Sequence, residues 1–366
     1  MKITVPTIDF GTSKIVTMVA QSNGERCDIV GSGAVPYSGY LQDGWNNPDE
    51  IRDVIRTAID QAQKTGNCRI HELNVGVPGM FTRVIVKEVH VSLTGPDPHV
   101  TAQDVRACFK LAEESGGDRI IHSAPAWFRV DDGKKTLSPV GIKGRELSAM
   151  IALVTADKYF IDDITYRLRD MDIEPREFYS TVAGEATYAL SQDERDKTAM
   201  LIDIGYLCTD VMVMEGDALI FHKCLDIGGG HISADIAEQL NIPFPFVEEK
   251  IKQTYSFNST NQDETYVIPA TEDEPARTVR RDEVTPIIEA KVEEIAEAIN
   301  KALEEGGVKL GKWSNVYLTG GGLILNKGGK DFLAGKLHRI IREAQRTNNK
   351  MTSHVFSSAV GLTILV

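Results

Sequence analysis

Short β-branched blocks, not helical spacing, set the pattern of apolar and polar positions at the start of the chain. KITVPTIDFG, KIVTMVAQ and CDIVGSGAVPY are separated by Gly, Asn and Ser, so a sheet of consecutive antiparallel strands is predicted to open the protein. In NPDEIRDVIRTAIDQAQKTG, Ile51, Val54, Ile55, Ala58, Ile59 and Ala62 recur at helical spacing behind an acidic first turn, with Gly66 as the predicted stop. ELNVGVPGMF reads as a strand ending in a Pro-Gly turn, and VIVKEVHVSL alternates as a half-buried strand should. From about residue 80 to 157 the order is strand, helix (TAQDVRACFKLAEES), strand (IIHSAPAWFRV), Gly/Lys turn and strand (ELSAMIALVTA). That order predicts a small α+β unit inserted between parts of a larger lobe.

KYFIDDITYRLRDMD predicts another helix, closed by the Glu174-Pro175 step, with AGEATYAL helical after it. TAMLIDIGYLCTDVMVMEGDALIFHKCLDIG repeats the strand and turn order of the N-terminus, and the likeness of LIDIG to TIDFG predicts an internal duplication into two lobes. Residues 257–280 are polar, with two short extended pieces, VIP and TVR, and read as a β-hairpin or a loop. VTPIIEAKVEEIAEAINKALEEGG predicts a helix with Ile288, Val292, Ile295, Ile299 and Leu303 on one face and Pro286 near its first turn. NVYLTGGGLIL is a strand running into a triple-glycine turn, and DFLAGKLHRIIREAQ is predicted as a last amphipathic surface helix before SSAVGLTILV.

Composition narrows the classes. A chain of 366 residues exceeds one ordinary core, which again predicts two domains or lobes around a cleft. Apolar residues at 42% and charged residues at 25% describe a globular chain. The net charge of -13 excludes a general phosphate-backbone binder, so no nucleic-acid partner is expected, and Arg277, Arg280 and Arg281 read as a solvated surface. The five cysteines, Cys27, Cys68, Cys108, Cys208 and Cys224, are an odd set without a CxxC, which indicates neither a disulfide framework nor a zinc site but thiols in a reducing compartment. MKITVPTIDFG is no signal peptide and no long apolar run follows, so a cytoplasmic chain is expected.

Three elements carry candidate chemistry: IDFGTSK at 8–14, LIDIGYLCTDV at 201–211 and VYLTGGGLIL at 316–325. Each is an apolar strand entering a Gly turn. Glycine lets backbone N–H groups approach a phosphate, and a carboxylate at a strand end can hold the waters around Mg2+. In this order, with two strands ending in Asp, they mark the actin-like ATPase superfold, with a nucleotide between duplicated lobes.

NVGVPGMFTRVIVKEVHVSL, VTAQDVRACFKLAEE, IIHSAPAWFRVDDGKKTLSPVGIKGRELSAMIALVTA and LDIGGGHISADIAEQL resemble the FtsA family of bacterial cell-division proteins in wording and order, as does the step His122, Pro125, Phe128 followed by Pro139-Val140-Gly141. The resemblance runs from about residue 3 to 310 and resumes at the triple glycine and the terminal SSAVGL. It implies an actin-like two-lobed fold with an inserted 1C (SHS2-like) subdomain. Residues 1–79 with 158–195 and 340–366 would form lobe one, 80–157 the insertion, and 196–339 lobe two. It also implies self-association into filaments, binding of the FtsZ C-terminal peptide, contacts to other divisome proteins through 1C, and a peripheral place at the inner face of the membrane at the division site. ATP and Mg2+ would be held by Asp9, Gly11, Thr12, Ser13 and Lys14 in the first loop and by Asp203, Gly205, Thr209 and Asp210 in the second. Gly320, Gly321 and Gly322 would form the adenosine loop, Glu249 and Lys252 would approach ribose and adenine, and Asp9 and Asp203 would lie near the metal.

Three positions depart from that family. Where its second loop reads Asp-Ile-Gly-Gly-Gly-Thr-Thr-Asp, this chain has Tyr206, Leu207 and Cys208, whose side chains are expected to crowd the γ-phosphate. Tyr179-Ser180 replaces a Glu-Pro pair, removing a carboxylate able to position the attacking water, so hydrolysis is expected to be weak or absent. The sequence ends at VGLTILV without the amphipathic helix that follows a linker in the family, which is expected either of a shortened chain or of a branch reaching the membrane through a partner. The alternatives are a PilM-like cytoplasmic adaptor of type IV pili and, more remotely, a small-molecule kinase of the same superfold. Gly228, Gly229 and Gly230 read as a turn leading into a helix, His222 and His231 as too isolated for a metal, and the pairs Asp131-Asp132 and Asp162-Asp163 as solvated.

Overall fold

In the computed structural model the described residues are all but 1–2, 23–26, 42–43, 118, 262, 271–274, 312–313 and 345–352. The chain opens with strands β1 (Ile3–Phe10), β2 (Lys14–Ser22), β3 (Cys27–Pro36), β4 (Tyr40–Leu41) and β5 (Gly44–Trp45), followed by helix α1 (Ile51–Gly66) and β6 (Glu72–Val77). Next come β7 (Thr82–Ser92), α2 (Ala102–Glu114), β8 (Ile120–Val130), β9 (Glu146–Ala156), α3 (Lys158–Arg169), β10 (Glu174–Ser180), α4 (Thr181–Ala189) and the short α5 (Gln192–Arg195). The sequence continues through β11 (Ala199–Ile204), β12 (Thr209–Glu215), β13 (Ala218–Leu225), α6 (Gly229–Gln239), the short α7 (Phe244–Phe246), β14 (Thr265–Ile268), β15 (Arg277–Arg280) and α8 (Arg281–Glu305). It closes with β16 (Asn315–Thr319), α9 (Gly329–Leu337), β17 (Ile341–Glu343) and α10 (Ser357–Leu365).

Two five-stranded sheets repeat one order. The first is β10-β6-β1-β2-β3 and the second β17-β16-β11-β12-β13. In both, the strand ending in Asp-x-Gly sits centrally, as the likeness of TIDFG to LIDIG predicts. The chain divides into two compact units, residues 1–201, 212–223 and 345–366 in one, 202–211 and 224–344 in the other, and the division passes through β11, β12 and β13.

In the first unit, β1 pairs antiparallel with β2 and parallel with β6. Helix α1 buries Ile51, Ile55, Ala58, Ile59 and Ala62, the face its spacing predicts. It ends at Gly66, as predicted; Asn67 takes the left-handed conformation at the cap, and Gly66 packs closely against Gly31. An aromatic cluster sits beneath the first Gly turn. Phe81 stacks on Phe160 at 5.0 Å and Phe10 meets Phe160 edge-on at 5.6 Å. Such pairs add about 0.5–1.5 kcal/mol each beyond burial. Asp163 accepts hydrogen bonds from Trp45 Nε1 and Arg167 Nε, both at 2.8 Å, so it anchors this cluster and is not simply solvated. Asp131 is likewise structural: it accepts from the backbone N–H groups of Arg145 and Glu146.

Within the same unit, β7, β9 and β8 form an antiparallel sheet, in the order β7-β9-β8, with α2 against one face through Cys108 and Ala112. Thr101 and Asp104 form a reciprocal capping box at the start of α2, which satisfies donors the first helical turn would otherwise leave open. Helix α3 ends at Arg169, before Glu174-Pro175, and that step instead begins strand β10. A proline is tolerated there because β10 is the edge of its sheet.

In the second unit, β14 and β15 form the predicted hairpin. Arg281 is buried at its end, paired with Glu264 at 2.9 Å and lying 4.3 Å from the Tyr255 ring centre, so it belongs to the core and not to a solvated surface. Helix α8 buries Ile288, Val292, Ile295, Ile299 and Leu303 as predicted, but begins at Arg281, which leaves Pro286 inside it and past the first turn. The predicted helix over 331–345 is shorter: α9 stops at Leu337 with His338 left-handed, and Ile341–Glu343 pairs parallel with β16 as an edge strand. Gln345, the last residue of that prediction, lies outside the described residues. SSAVGLTILV is not the tail after a last helix but itself forms α10, packed on α4 in the first unit where Gly184 and Gly361 let the backbones meet.

Candidate functional site

The first Gly turn joins β1 to β2. Phe10 and Ile15 are the last paired residues, and the Gly11 N–H donates to the Lys14 carbonyl at 2.9 Å, closing a four-residue turn. Ser13 accepts at its carbonyl from Tyr37 N–H at 3.0 Å. Thr12 is buried, Ser13 and Lys14 half-buried, and the Lys14 ammonium lies 5.3 Å from the Phe356 ring centre. Asp9 is buried at the end of β1 and accepts from Ser358 Oγ at 2.7 Å. Burial raises its carboxyl above the ordinary carboxylate range, against the opposing pull of the Ser358 hydrogen bond and the Lys14 charge.

The second Gly turn has the same backbone: Gly205 N–H donates to the Cys208 carbonyl at 2.9 Å. Thr209, fully buried, donates through Oγ1 to the Ile227 carbonyl at 2.7 Å. Here the surroundings differ. The Gly229 N–H donates to the Gly205 carbonyl at 2.9 Å and the Gly230 N–H to the Tyr206 carbonyl at 2.7 Å. Gly228 N–H donates to His231 Nδ1 at 3.0 Å, which places the ring proton of His231 on Nε2. Gly228, Gly229 and Gly230 do lead into a helix, α6, as the sequence predicts. Its N-terminal donors, the groups a phosphate would use, are spent on the turn at 205–208.

The Tyr206 ring fills the remaining space beside Gly230, where an added β-carbon would come within 3.0 Å of it. Burial, with the nearby Glu248 charge, raises the Tyr206 phenol above its ordinary range. Lys252, buried at the end of a single π turn over Val247–Lys252, donates to the Gly229 carbonyl at 2.7 Å and to Glu248 Oε1 at 3.1 Å. Its ammonium also lies 5.7 Å from the Tyr206 ring centre. Burial lowers the Lys252 pKa, partly offset by Glu248. Glu249 points elsewhere: it is exposed, and Glu248 stands beside Lys252 in its place. Asn326 holds the turn from below, donating to the carbonyls of Lys252 at 2.6 Å and Tyr255 at 3.2 Å.

The triple glycine completes this packing. Gly322 N–H donates to the Ile204 carbonyl at 2.7 Å, and Gly322 lies so close to the Gly205 carbonyl and to Gly229 that no side chain fits at either glycine. Gly320, at φ 87°, turns the chain directly against Asp203. Gly321 is half-buried beside it.

The structure therefore gathers Asp9, Gly11, Thr12, Ser13 and Lys14 in one unit, and Asp203, Gly205, Thr209, Lys252, Gly320, Gly321 and Gly322 in the other. As arranged, the second set does not fit a γ-phosphate: its helix donors are paired, its lysine is bound to a backbone carbonyl, and a phenol ring stands against Gly230. Of the Tyr179-Ser180 step, Ser180 caps α4 through the Ala183 N–H and the Tyr179 hydroxyl donates to exposed Glu177 at 2.6 Å. Sequence reasoning missed Ser358, far from Asp9 in the chain, and Glu248, shadowed by Glu249 in the family wording. It also missed a convergence of Cys208, Asp210 and Cys224, whose ligand atoms all lie within 4.8 Å of one another.

A family profile described as "Cell division protein FtsA" matches residues 200–361, and one described as "SHS2 domain inserted in FTSA" matches residues 79–155, together well over half of the chain. The chain belongs to the FtsA family. It is 26% identical to the cell division protein FtsA of Pseudomonas aeruginosa over 320 residues, covering 86% of this chain and 76% of that protein. FtsA of Bacillus subtilis is 26% identical over 306 residues, covering 82% and 70%, and FtsA of Escherichia coli K12 is 24% identical over 328 residues, covering 86% and 77%. Among solved structures, the PilM-PilN type IV pilus biogenesis complex superposes with a TM-score of 0.65 at 17% identity, over 99% of this chain and 98% of that one. MreB5 of Spiroplasma citri bound to ADP does so with a TM-score of 0.57 at 11% identity, over 99% and 95%. At these identities the structures establish the fold alone, the actin-like ATPase fold, here with the SHS2 insertion of FtsA. Among the described residues no helix is long and apolar enough to cross a membrane.

Proposed function

We propose that this FtsA-family protein is a divisome scaffold: it self-associates into filaments, recruits FtsZ through the FtsZ C-terminal peptide, and contacts other divisome proteins through the SHS2 insertion. It works at the inner face of the cell membrane at the division site. Residues 80–157 make the insertion, flanked in lobe one by 1–79 and 158–195, with the terminal α10 also in lobe one and 196–339 in lobe two. Any ATP with Mg2+ is held weakly and is not turned over; its proposed ligands are those the family resemblance names, Asp9, Gly11, Thr12, Ser13 and Lys14 in the first loop, and Asp203, Gly205, Thr209, Glu249, Lys252 and Gly320–Gly322 elsewhere in the sequence.

One observation carries this reading: in a chain of FtsA wording, the N-terminal donors of α6 bond the carbonyls of Gly205 and Tyr206. A scaffold tolerates that closure and an enzyme of phosphoryl transfer does not, because such catalysis depends on positioned donors around the phosphate. The PilM adaptor reading rests on fold likeness only. Fluorescence anisotropy with a labelled FtsZ C-terminal peptide separates the two. Saturable binding, with none to an N-terminal peptide of a PilN protein, is the expected result, and the reverse preference would assign the chain to the pilus class.

A further inference from the structure

The geometry points to a site for one Zn2+ ion made by Cys208, Asp210 and Cys224, at the exit of the second Gly turn. Side chains alternate along an extended strand, so Cys208, immediately before β12, and Asp210, its second residue, project to the same face. Cys224 comes from the neighbouring strand β13, next to β12 in the sheet. The two thiols and the carboxylate lie within 4.8 Å of one another. Ligands around a tetrahedral zinc, with Zn–S near 2.3 Å and Zn–O near 2.1 Å, stand roughly 3.5–3.8 Å apart, so the three need to close by at most about 1 Å.

The backbone beneath is already fixed. The Cys208 carbonyl accepts from Gly205 N–H, and Thr209 Oγ1 ties the start of β12 to Ile227, just past Cys224. Both cysteines are free thiols, with Cys208 buried and Cys224 and Asp210 half-buried, which leaves the fourth ligand position to water. Two sulfurs select a thiophilic cation over Mg2+ or Ca2+, and a carboxylate as third ligand favours Zn2+. On binding, each thiol gives its proton to solvent and the ion takes two thiolates and one carboxylate. The ion would pin the exit of the second Gly turn to the end of β13.

The test is a titration of the reduced full chain with Co2+, followed by displacement with Zn2+. One equivalent of Co2+ should produce near-ultraviolet thiolate-to-metal charge-transfer absorption, abolished by Zn2+ and absent from the Cys208→Ser, Cys224→Ser double variant. Asp210→Asn should lower the Co2+ affinity by at least the roughly tenfold that even partners outside the ligand shell can command. Cys224→Ser alone, at the less buried position, gives the same reading if Cys208→Ser impairs folding. Circular dichroism of each variant without metal distinguishes lost binding from lost fold. No absorption from the folded, reduced wild-type chain would overturn the site, and so would absorption that persists in the double variant, which would place the metal on Cys27, Cys68 or Cys108.

Discussion

Two turns in this molecule share one backbone and differ in everything around it. Gly11 to Lys14 and Gly205 to Cys208 each close with a hydrogen bond of 2.9 Å from the glycine N–H to the fourth carbonyl, two residues after an aspartate. At the first, a β-carbon on Gly11 would meet only the Lys14 carbonyl, at 3.0 Å. At the second, Gly228, Gly229 and Gly230 at the start of α6 and Gly320 and Gly322 of the turn after β16 crowd the loop, and Tyr206 and Lys252 complete the packing. Backbone shape alone therefore does not make a phosphate site. The donors must also be unspent, and at the second turn those of Gly229 and Gly230 are spent on the carbonyls of Gly205 and Tyr206.

The comparison breaks most visibly under added volume. Gly322→Ala drives a methyl group into the Gly205 and Ile204 carbonyls and should cost about 2–4 kcal/mol in denaturant unfolding, whereas Gly11→Ala should cost about 1 kcal/mol or less. Equal losses would mean the two turns are packed alike. Next in size is Lys252→Met, which leaves the Gly229 carbonyl and Glu248 without their donor and should cost about 1–3 kcal/mol near neutral pH.

The same lysine gives a pH signature. Its pKa is lowered in the folded state, so between that value and the ordinary lysine pKa the unfolded chain binds more protons, and stability rises with pH across that window. Subtracting the Lys252→Met stability curve from the wild-type curve should isolate a rise above neutrality. A flat difference would mean the ammonium is not desolvated. Asp9 behaves in the opposite sense. Its raised carboxyl stabilises the fold below the ordinary aspartate pKa, and the contribution is lost as pH rises through the folded value. Asp9→Asn should therefore gain thermal stability over wild type at pH 7 and match it near pH 3. The smallest effect is at Glu249: Glu249→Ala, at an exposed position, should change stability by less than about 0.5 kcal/mol, while Glu248→Ala, beside buried Lys252, should cost more.

Much of the architecture was legible because it is written in periodicity. The strands leading to Asp9 and Asp203, the repeated sheet order and the buried face of α8 all follow from β-branched runs or from three-and-four spacing. Where tertiary pairing overrides local pattern, the sequence misleads. Ile340 to Arg342 continue the amphipathic spacing of α9, yet the backbone turns at His338 and β16 recruits Ile341–Glu343 to the sheet edge. Pro175 signals a helix end locally, but an edge strand accepts it. In the candidate site, the substitution of Tyr206, Leu207 and Cys208 for small residues is visible in the sequence. The choice of Glu248 over Glu249 depends on the phase of a π turn, which no local pattern announces. The convergence of Cys208 and Cys224 depends on two strands being neighbours, and sixteen residues of separation do not resemble any metal spacing.

The most direct test of the closed second turn is calorimetric titration of Mg-ATP into the wild-type chain and into a Tyr206→Gly, Leu207→Gly double variant that restores the family's glycines. Weak or undetectable binding by wild type, with affinity at least tenfold higher in the variant, is the predicted result. Tight binding by wild type that the glycines leave unchanged would show that Tyr206 and its neighbours do not obstruct the nucleotide, and would contradict the account.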